Sequence, residues 1–250
     1  LLRRRRPLLK ESKLEERKQQ LEYKNNPELQ EFFLMQELAN PNIAKIYELL
    51  EGPTQYYMVL EYSGGGTLED DLKQQPGERY AEDKAGLILY ILLRTVAYLH
   101  SRQETRQNNN TKTVLHCDLN LSNILLDETK ERIGQLKLID FGLAKKLKKL
   151  STTKVVTMWY RAPEILLSSP YCTSADMWSV GCIFAEMLQR KPFLPGTDTK
   201  NQIELICEYL GTPDVDNMKH IPEESKKLIK NLPKNKKIGK DFNKIFSFAS

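Results

Sequence analysis

From residue 27 onward, apolar positions come in short periodic runs separated by polar punctuation. After Asn26-Pro27, Leu29, Phe32 and Phe33 recur at helical spacing, and Asn40-Pro41 closes the segment, predicting a short helix. "IAKIYELL" (43–50) and "YYMVLEY" (56–62) predict strands of a small sheet. Ser63-Gly64-Gly65-Gly66 is the first cluster of loop-forming residues and a natural boundary. Beyond it, "LILYILLRTVAYLH" (87–100) is apolar almost all round, which predicts a buried helix of a larger helical lobe. "SRQETRQNNNTKT" (101–113) is polar and aperiodic and reads as a surface insertion. "VLH", "NILL" and "LKLID" predict short strands joined by turns, and "DMWSVGCIFAEML" (176–188) a second helix apolar on most faces. Before residue 27, "ESKLEERKQQLEYK" has helix-forming composition. From Lys219 the chain is rich in lysine, with Pro222 and Pro233, and no repeat runs at a solenoid period.

The composition fits a soluble globular protein: 250 residues, 40% hydrophobic and 28% charged. The excess of 38 Lys+Arg over 33 Asp+Glu is +5. Much of it is local, in Arg3 to Arg6, in Lys145, Lys146, Lys148 and Lys149, and in the lysines of 226–240. These read as solvated faces, permitting phosphate-bearing partners without demanding nucleic acid. None of Cys117, Cys172, Cys182 and Cys207 lie two or three apart, so no metal knuckle is written, and reduced thiols in an intracellular compartment are expected. No signal peptide is read, and the longest apolar run, Leu87 to Leu93, is too short to span a bilayer. The expected location is cytoplasmic, nuclear or both, with no membrane and no nucleic-acid partner. The chain opens without Met, which suggests a fragment or a trimmed sequence.

The candidate chemistry lies between His116 and Glu164. Asp118 and Asn123 stand five apart in "HCDLNLSN", and Asp140 follows in "LIDFG". The stretch between them reads as strand, turn, strand, and such a hairpin would return Asp140 close to Asn123. An amide oxygen and a carboxylate brought together suit Mg²⁺, a hard cation that takes oxygen ligands and keeps substrate phosphates as others. Asp118, offset on the same loop, is placed to accept a proton from a hydroxyl.

These residues resemble the protein-kinase catalytic signature. "HCDLNLSN" resembles H-R-D-L-x-x-x-N, "DFG" is Asp140-Phe141-Gly142, and "APE" is Ala162-Pro163-Glu164. "QEFFLMQELANPNI" resembles the small-lobe helix whose glutamate, here Glu31, pairs with a phosphate-binding lysine. "YYMVLEYSGGGTL" resembles the last small-lobe strand and the hinge. "TSADMWSVGCIFAEML" resembles the central helix whose aspartate, here Asp176, braces the catalytic loop. "MWYRAPE" and "KPFLPGTDTKNQIELICEYLGTP" are similar to the CMGC group. "ESKKLIKNLPKNKKIGKDFNKIFSFAS" resembles the insert of the mitogen-activated protein kinases, the preferred branch, whereas "VVTMWYRAPE" leans toward cyclin-dependent kinases. The resemblance covers about residues 27–250.

It implies an α+β, two-lobe fold. Residues 1–62 form a partial small lobe of sheet and helix, 63–66 the hinge, and 67–250 a mainly helical lobe ending within the insert. It implies a serine/threonine kinase using ATP and Mg²⁺. Asp118 would be the catalytic base, and Asn123 and Asp140 the metal ligands. Leu60 would be the gatekeeper, Glu61 and Tyr62 would offer backbone groups to adenine, and Leu125 would form the floor beneath it. Lys10, preferred over Lys13, would contact the α- and β-phosphates and pair with Glu31. His116 would support the loop by packing and hydrogen bonding. Thr152 would be an activating phosphosite, and Val155 to Arg161 would shape a pocket favouring proline after the acceptor. The implied partners are protein substrates with Ser/Thr-Pro sites and an upstream kinase or activating subunit.

The pattern breaks in four places. No glycine precedes Gly52, so the glycine-rich phosphate loop is not found; the phosphate-binding lysine is left open between Lys10, 21 residues before Glu31 in an apolar context, and Lys13, 18 before it in a polar one; Cys117 stands where an Arg and Asn120 where a Lys is expected; and Thr152-Thr153-Lys154 lacks a Thr-x-Tyr pair. The helix expected to supply an Arg to Glu164 is also missing, which predicts a buried carboxylate without its partner. The alternative function is therefore a catalytically impaired pseudokinase that acts as a partner-binding or regulatory module.

Overall fold

The computed structural model describes residue 26 and residues 29–78, 80–101, 113–126, 136–146, 158–170, 172–232 and 241–246. It is α+β. Helix α1 (Gln30–Gln36) starts where the Leu29 N–H bonds the Asn26 carbonyl, and it buries Phe32, Leu34 and Met35. The apolar spacing predicts helix up to Asn40. The helix ends at Gln36, where the Glu37 and Leu38 N–H groups donate to the Leu34 (3.0 Å) and Met35 (3.1 Å) carbonyls in a tightened last turn, and beyond it Asn40 Oδ1 accepts the Asn42 N–H at 2.8 Å.

Strands β1 (Ile46–Glu51) and β2 (Tyr56–Leu60) form an antiparallel pair, with Ile46 opposite Leu60 and Glu51 opposite Tyr56. Their turn requires Gly52, since a Cβ there would lie 2.8 Å from the Tyr57 ring. The predicted strand began at Ile43, but residues 42–44 do something else. They lie along β5 (Leu136–Leu138): Leu138 N–H donates to the Asn42 carbonyl, Ala44 N–H donates to the Leu138 carbonyl, and Asn42 Nδ2 donates to the Leu136 carbonyl. This segment joins the small sheet to the hairpin of the candidate site.

Helix α2 (Leu68–Gln74) opens with a reciprocal cap between Thr67 and Asp70. Helix α3 (Glu82–His100) buries Ala85, Ile88, Ile91, Leu92, Thr95, Val96 and Leu99. The sequence suggested burial all round, but Leu87 and Tyr90 are exposed. Only one face of α3 packs on the core, chiefly against α5. Two short pairs follow: β3 (Val114–Leu115) with β6 (Lys145–Lys146), and β4 (Ile124–Leu126) with β5, Ile124 opposite Leu138. After α4 (Pro163–Leu166) comes α5 (Ser174–Gln189), buried along most of its length. It stands between the main core, which holds Leu92, Leu99, Leu121 and Phe141, and a second core with Ile203, Ile206 and Ile229. Helices α6 (Thr199–Leu210), α7 (Glu223–Lys230) and α8 (Phe242–Ile245) complete the described chain. All four cysteines are free thiols. Among the described residues, no helix is long and apolar enough to cross a membrane.

A buried polar clamp ties α2 to α3. Asp71 is 5% exposed and accepts hydrogen bonds from Tyr80 Oη (2.7 Å), Lys84 Nζ (3.0 Å) and Gln75 Nε2 (3.0 Å). Asp71→Ala removes the shared acceptor of three donors. It should cost about 3 kcal/mol, read as a lower urea midpoint at unchanged m-value.

Candidate active site

The site is built on Asp176, in the first turn of α5, where the helix N-terminus favours a negative charge. Asp176 is 1% exposed. Its Oδ2 accepts the His116 N–H at 3.0 Å and lies 2.8 Å from His100 Nε2; its Oδ1 accepts the Cys117 N–H at 2.9 Å. One carboxylate thus holds the end of α3 and the chain leaving β3. Cys117 is held in the left-handed region, φ +66°, a strained conformation for a residue with a side chain.

His116 is buried. Its Nε2–H donates to the Ile139 carbonyl at 3.1 Å, its Nδ1 accepts the Asp118 N–H at 3.3 Å, and its ring meets Phe141 edge-on at 4.7 Å. Burial, more than any charge nearby, pushes its pKa below the ordinary imidazole value. A neutral ring with both nitrogens engaged is a positioning group.

The loop from Asp118 to Asn123 closes on itself. The Asp118 carbonyl accepts from Asn120 Nδ2 (3.1 Å) and Asn123 Nδ2 (2.9 Å), and Asn123 Nδ2 also reaches Asp118 Oδ2 (3.2 Å). Asn120 Oδ1 accepts the Asn123 N–H at 3.0 Å and caps the short turn Leu121–Asn123. Leu119 and Leu121 anchor the loop in the core. Ser122 donates to Glu69 of α2. Burial raises the Asp118 carboxyl above the ordinary carboxylate range; the charge of Asp140 adds to this, while the Asn123 bond and Arg161 oppose it.

The β4–β5 hairpin brings the second half of the site alongside, as its sequence spacing predicted. Ile139 N–H donates to the Asn123 carbonyl at 3.0 Å. Asp140 is left-handed, φ +61°, and its Oδ1 accepts the Gly142 N–H at 3.1 Å. A Cβ on Gly142 would lie 3.1 Å from Asp140 Oδ1 and 3.5 Å from Glu31 Oε2, so glycine fits where the two carboxylates converge. Glu31 reaches over from α1, its Oε1 accepting the Phe141 N–H at 3.0 Å. Burial, and then the charge of Asp140, raise its carboxyl above the ordinary range.

Asn123 Oδ1 and Asp140 Oδ2 accept no hydrogen bond from the described residues. Two open hard oxygens fit a cation that draws its other ligands from water and phosphate, as Mg²⁺ does. Among the described residues no cluster of three or more His, Cys, Asp or Glu could hold a metal by itself.

At the proposed hinge, Glu61 is heavily used. Its N–H donates to the Lys45 carbonyl (2.7 Å), and its carboxylate takes the Lys45 N–H (3.0 Å) and Lys137 (2.9 Å). Of its two backbone groups, the carbonyl remains for a ligand. Tyr62 is 82% exposed and Leu60 is 36% exposed. Leu125, half-buried, bridges to Thr67, and the Gly65–Gly66 backbone pairs with Leu126 at 3.0 and 2.9 Å. Lys10 and Thr152 lie outside the described residues. Glu164, expected to be a buried carboxylate without a partner, is only half-buried and accepts from Ser174 Oγ at 3.4 Å.

Beside Asp118 opens a cleft of about 360 Å³, lined among others by Asn120, Asn123, Trp159, Tyr160 and Glu186. Its far wall, Met158–Tyr160, is pinned. Trp159 Nε1 donates to the Gly196 carbonyl (3.0 Å), Tyr160 Oη donates to Glu186 Oε2 (2.7 Å), and Ser179 Oγ donates to the Tyr160 carbonyl (2.6 Å). Sequence reasoning passed over Glu186. The available signal was a lone carboxylate inside the apolar run "CIFAEML".

Residues 5–238 match the family model described as "Protein kinase domain". The chain is 36% identical over 210 residues to "Mitogen-activated protein kinase 6" of Arabidopsis thaliana, covering 82% of this chain and 50% of that protein. It is 36% identical over 211 residues to "Mitogen-activated protein kinase 1" of Oryza sativa subsp. japonica, at 82% and 50% coverage. It is 37% identical over 212 residues to "Mitogen-activated protein kinase 5" of Arabidopsis thaliana, at 82% and 53%. The chain spans about half the length of the curated relatives it matches.

Asp176→Asn replaces one acceptor oxygen by a donor and leaves a buried N–H facing it. The expected loss is about 2–3 kcal/mol in chemical denaturation. Glu186 gives a pH signature. Burial foremost raises its carboxyl above 4.5, with Glu69 adding and the Tyr160 bond opposing. A raised carboxyl contributes stability that is present below about pH 4.5 and lost as pH rises through its folded value. Glu186→Gln keeps an acceptor for Tyr160 without that loss. Its stability relative to the wild type should climb from pH 4 to pH 7 in paired urea melts; a pH-independent difference would contradict this account.

Proposed function

The chain belongs to the protein kinase family, and we propose that it transfers the γ-phosphoryl of ATP to serine or threonine hydroxyls that precede proline in protein substrates. The observation that carries this reading is the convergence of Asp118, Asn123 and Asp140 on one loop and hairpin, with acceptor oxygens left open. Asp118 orients the hydroxyl and accepts its proton, its carboxylate fixed by Asn123 Nδ2. Asn123 and Asp140 would hold Mg²⁺. A bound magnesium nucleotide supplies the transferred group and the neutralisation of its charge. The Glu61 carbonyl accepts from adenine, with Leu60, Tyr62 and Leu125 around the ring. Glu31 would be the partner of the phosphate-binding lysine, for which Lys10, outside the described residues, is the candidate. The pinned Met158–Tyr160 wall, continuing to Arg161, shapes the subsite for proline. Thr152 is the candidate target of an upstream kinase, in keeping with the mitogen-activated names of the relatives, and the cytoplasm or nucleus the proposed location.

One observation favours a second reading, a partner-binding pseudokinase. Both polar atoms of the Asn120 side chain are spent within the loop, so this position directs no positive charge at a phosphoryl group.

The deciding measurement is transfer from labelled ATP, with Mg²⁺, to a Ser/Thr-Pro peptide, for the wild type and Asp118→Asn in parallel. The expected result is transfer that falls by about 10²–10⁴-fold in the variant while both circular dichroism spectra match. A folded wild type that transfers nothing would overturn the enzymatic reading and leave the partner-binding one.

A further inference from the structure

Gln202 lies in the first turn of α6 and is 0% exposed. Its Oε1 accepts the Gly196 N–H at 2.9 Å, a donor shared with the Leu194 carbonyl at 3.0 Å. Its Nε2 is buried with no hydrogen-bond partner among the described residues. Turning the amide over would set its NH₂ against the Gly196 N–H, donor to donor, so the surroundings enforce this orientation. A buried glutamine with half its amide unpaired is destabilising as mere filling. The acceptor oxygen is the part of the side chain that has a task.

That task is to hold the loop ahead of α6. Gly196 lies so close on Gln202 that a Cβ there would come within 2.7 Å of the Gln202 Cα, so only glycine fits. On the other side of Gly196, the Thr197 N–H donates to Asn201 Oδ1 at 3.2 Å. The Gly196 carbonyl belongs to the same planar, trans peptide as the Thr197 N–H and points the opposite way. It is therefore turned from α6 toward Trp159, whose Nε1 donates to it at 3.0 Å. Water competes for the exposed Asn201 bond, whereas the Gln202 bond is sealed from it, which makes Gln202 the firmer of the two anchors. Trp159 lines the cleft beside Asp118, and Gln202 does not.

We propose that Gln202 is a positioning residue for substrate selection: through the Gly196 peptide it fixes Trp159 and so sets how strongly proline is preferred after the phospho-acceptor. The proposal rests on the proline-directed reading above and deepens it, assigning the rigidity of the Met158–Tyr160 wall to a buried amide on a different helix.

The test compares a Ser-Pro peptide with its Ser-Ala twin, by kcat/KM and, without nucleotide, by calorimetric affinity. The chains are the wild type, Gln202→Leu, Trp159→Phe and the double variant, each checked for folding by circular dichroism. The wild type should favour proline by about tenfold or more. In Gln202→Leu the ratio should fall about fivefold, the worth of one buried hydrogen bond, and the fall should lie in KM. Trp159→Phe, which keeps a ring but loses the N–H, should fall as far. The double variant should fall no further, because both changes break one chain of contacts. In a Trp178→Phe background, which leaves Trp159 the only indole, Gln202→Leu should raise acrylamide quenching of its fluorescence. The proposal is overturned if folded Gln202→Leu keeps the wild-type ratio, if the two losses add, or if the quenching does not move. Should Gln202→Leu fail to fold, an unchanged ratio in Trp159→Phe overturns it alone. The functional reading fails differently. Proline-dependent binding without transfer would sink the reaction and keep the positioning role, and a wild type indifferent to proline would sink the proline-directed reading along with it.

Discussion

The site depends on one carboxylate taken almost wholly out of water. Asp176 sits at the head of the most buried helix and spends its oxygens on two successive backbone N–H groups and a histidine. Those bonds hold Cys117 in a left-handed conformation that a non-glycine residue adopts only when its surroundings compel it. The direction of the following loop, and so the place of Asp118, comes from that constraint. A charge buried this deeply is tolerable because its acceptor capacity is used and a helix N-terminus lies beneath it.

The loop from Asp118 to Asn123 is assembled from amides. At two positions where the family resemblance calls for cations, this chain has Cys117 and Asn120. Cys117 contributes its backbone N–H to Asp176, and Asn120 bonds both the Asp118 carbonyl and the Asn123 N–H. The geometry that presents Asp118 and Asn123 therefore needs neither missing charge to form. Electrostatics at a transferring phosphoryl is a separate matter, and it is where the two functional readings part.

Glu31, Asp118 and Glu186 are all held above the ordinary carboxylate range, each by burial first. At neutral pH each costs the fold stability that a neutral amide would not. Such groups concentrate where chemistry or recognition requires them. Asp71, in contrast, is buried among three donors and serves the packing of α2 on α3.

Local order was largely legible in the sequence. The runs "VLH", "NILL" and "LKLID" became β3, β4 and β5 because strand preference and turn placement act over a few residues. The five-residue spacing of Asp118 and Asn123 and the hairpin that returns the chain beside Asn123 were legible for the same reason. Contacts between distant segments were not legible. Residues 42–44 look like the start of β1, yet they pair with β5, because the winning hydrogen-bond partners lie more than ninety positions away. Leu87 and Tyr90 stayed in water because α3 has only one helix-covered side. Glu186 looked like a stray charge in an apolar run until Tyr160, twenty-six residues earlier, met it in the cleft. The sequence by itself determined which chemical groups exist and their local spacing, since these follow from chain geometry and side-chain preference. Only the tertiary structure decided which carboxylates were buried, paired or left open, because desolvation depends on everything packed around a group.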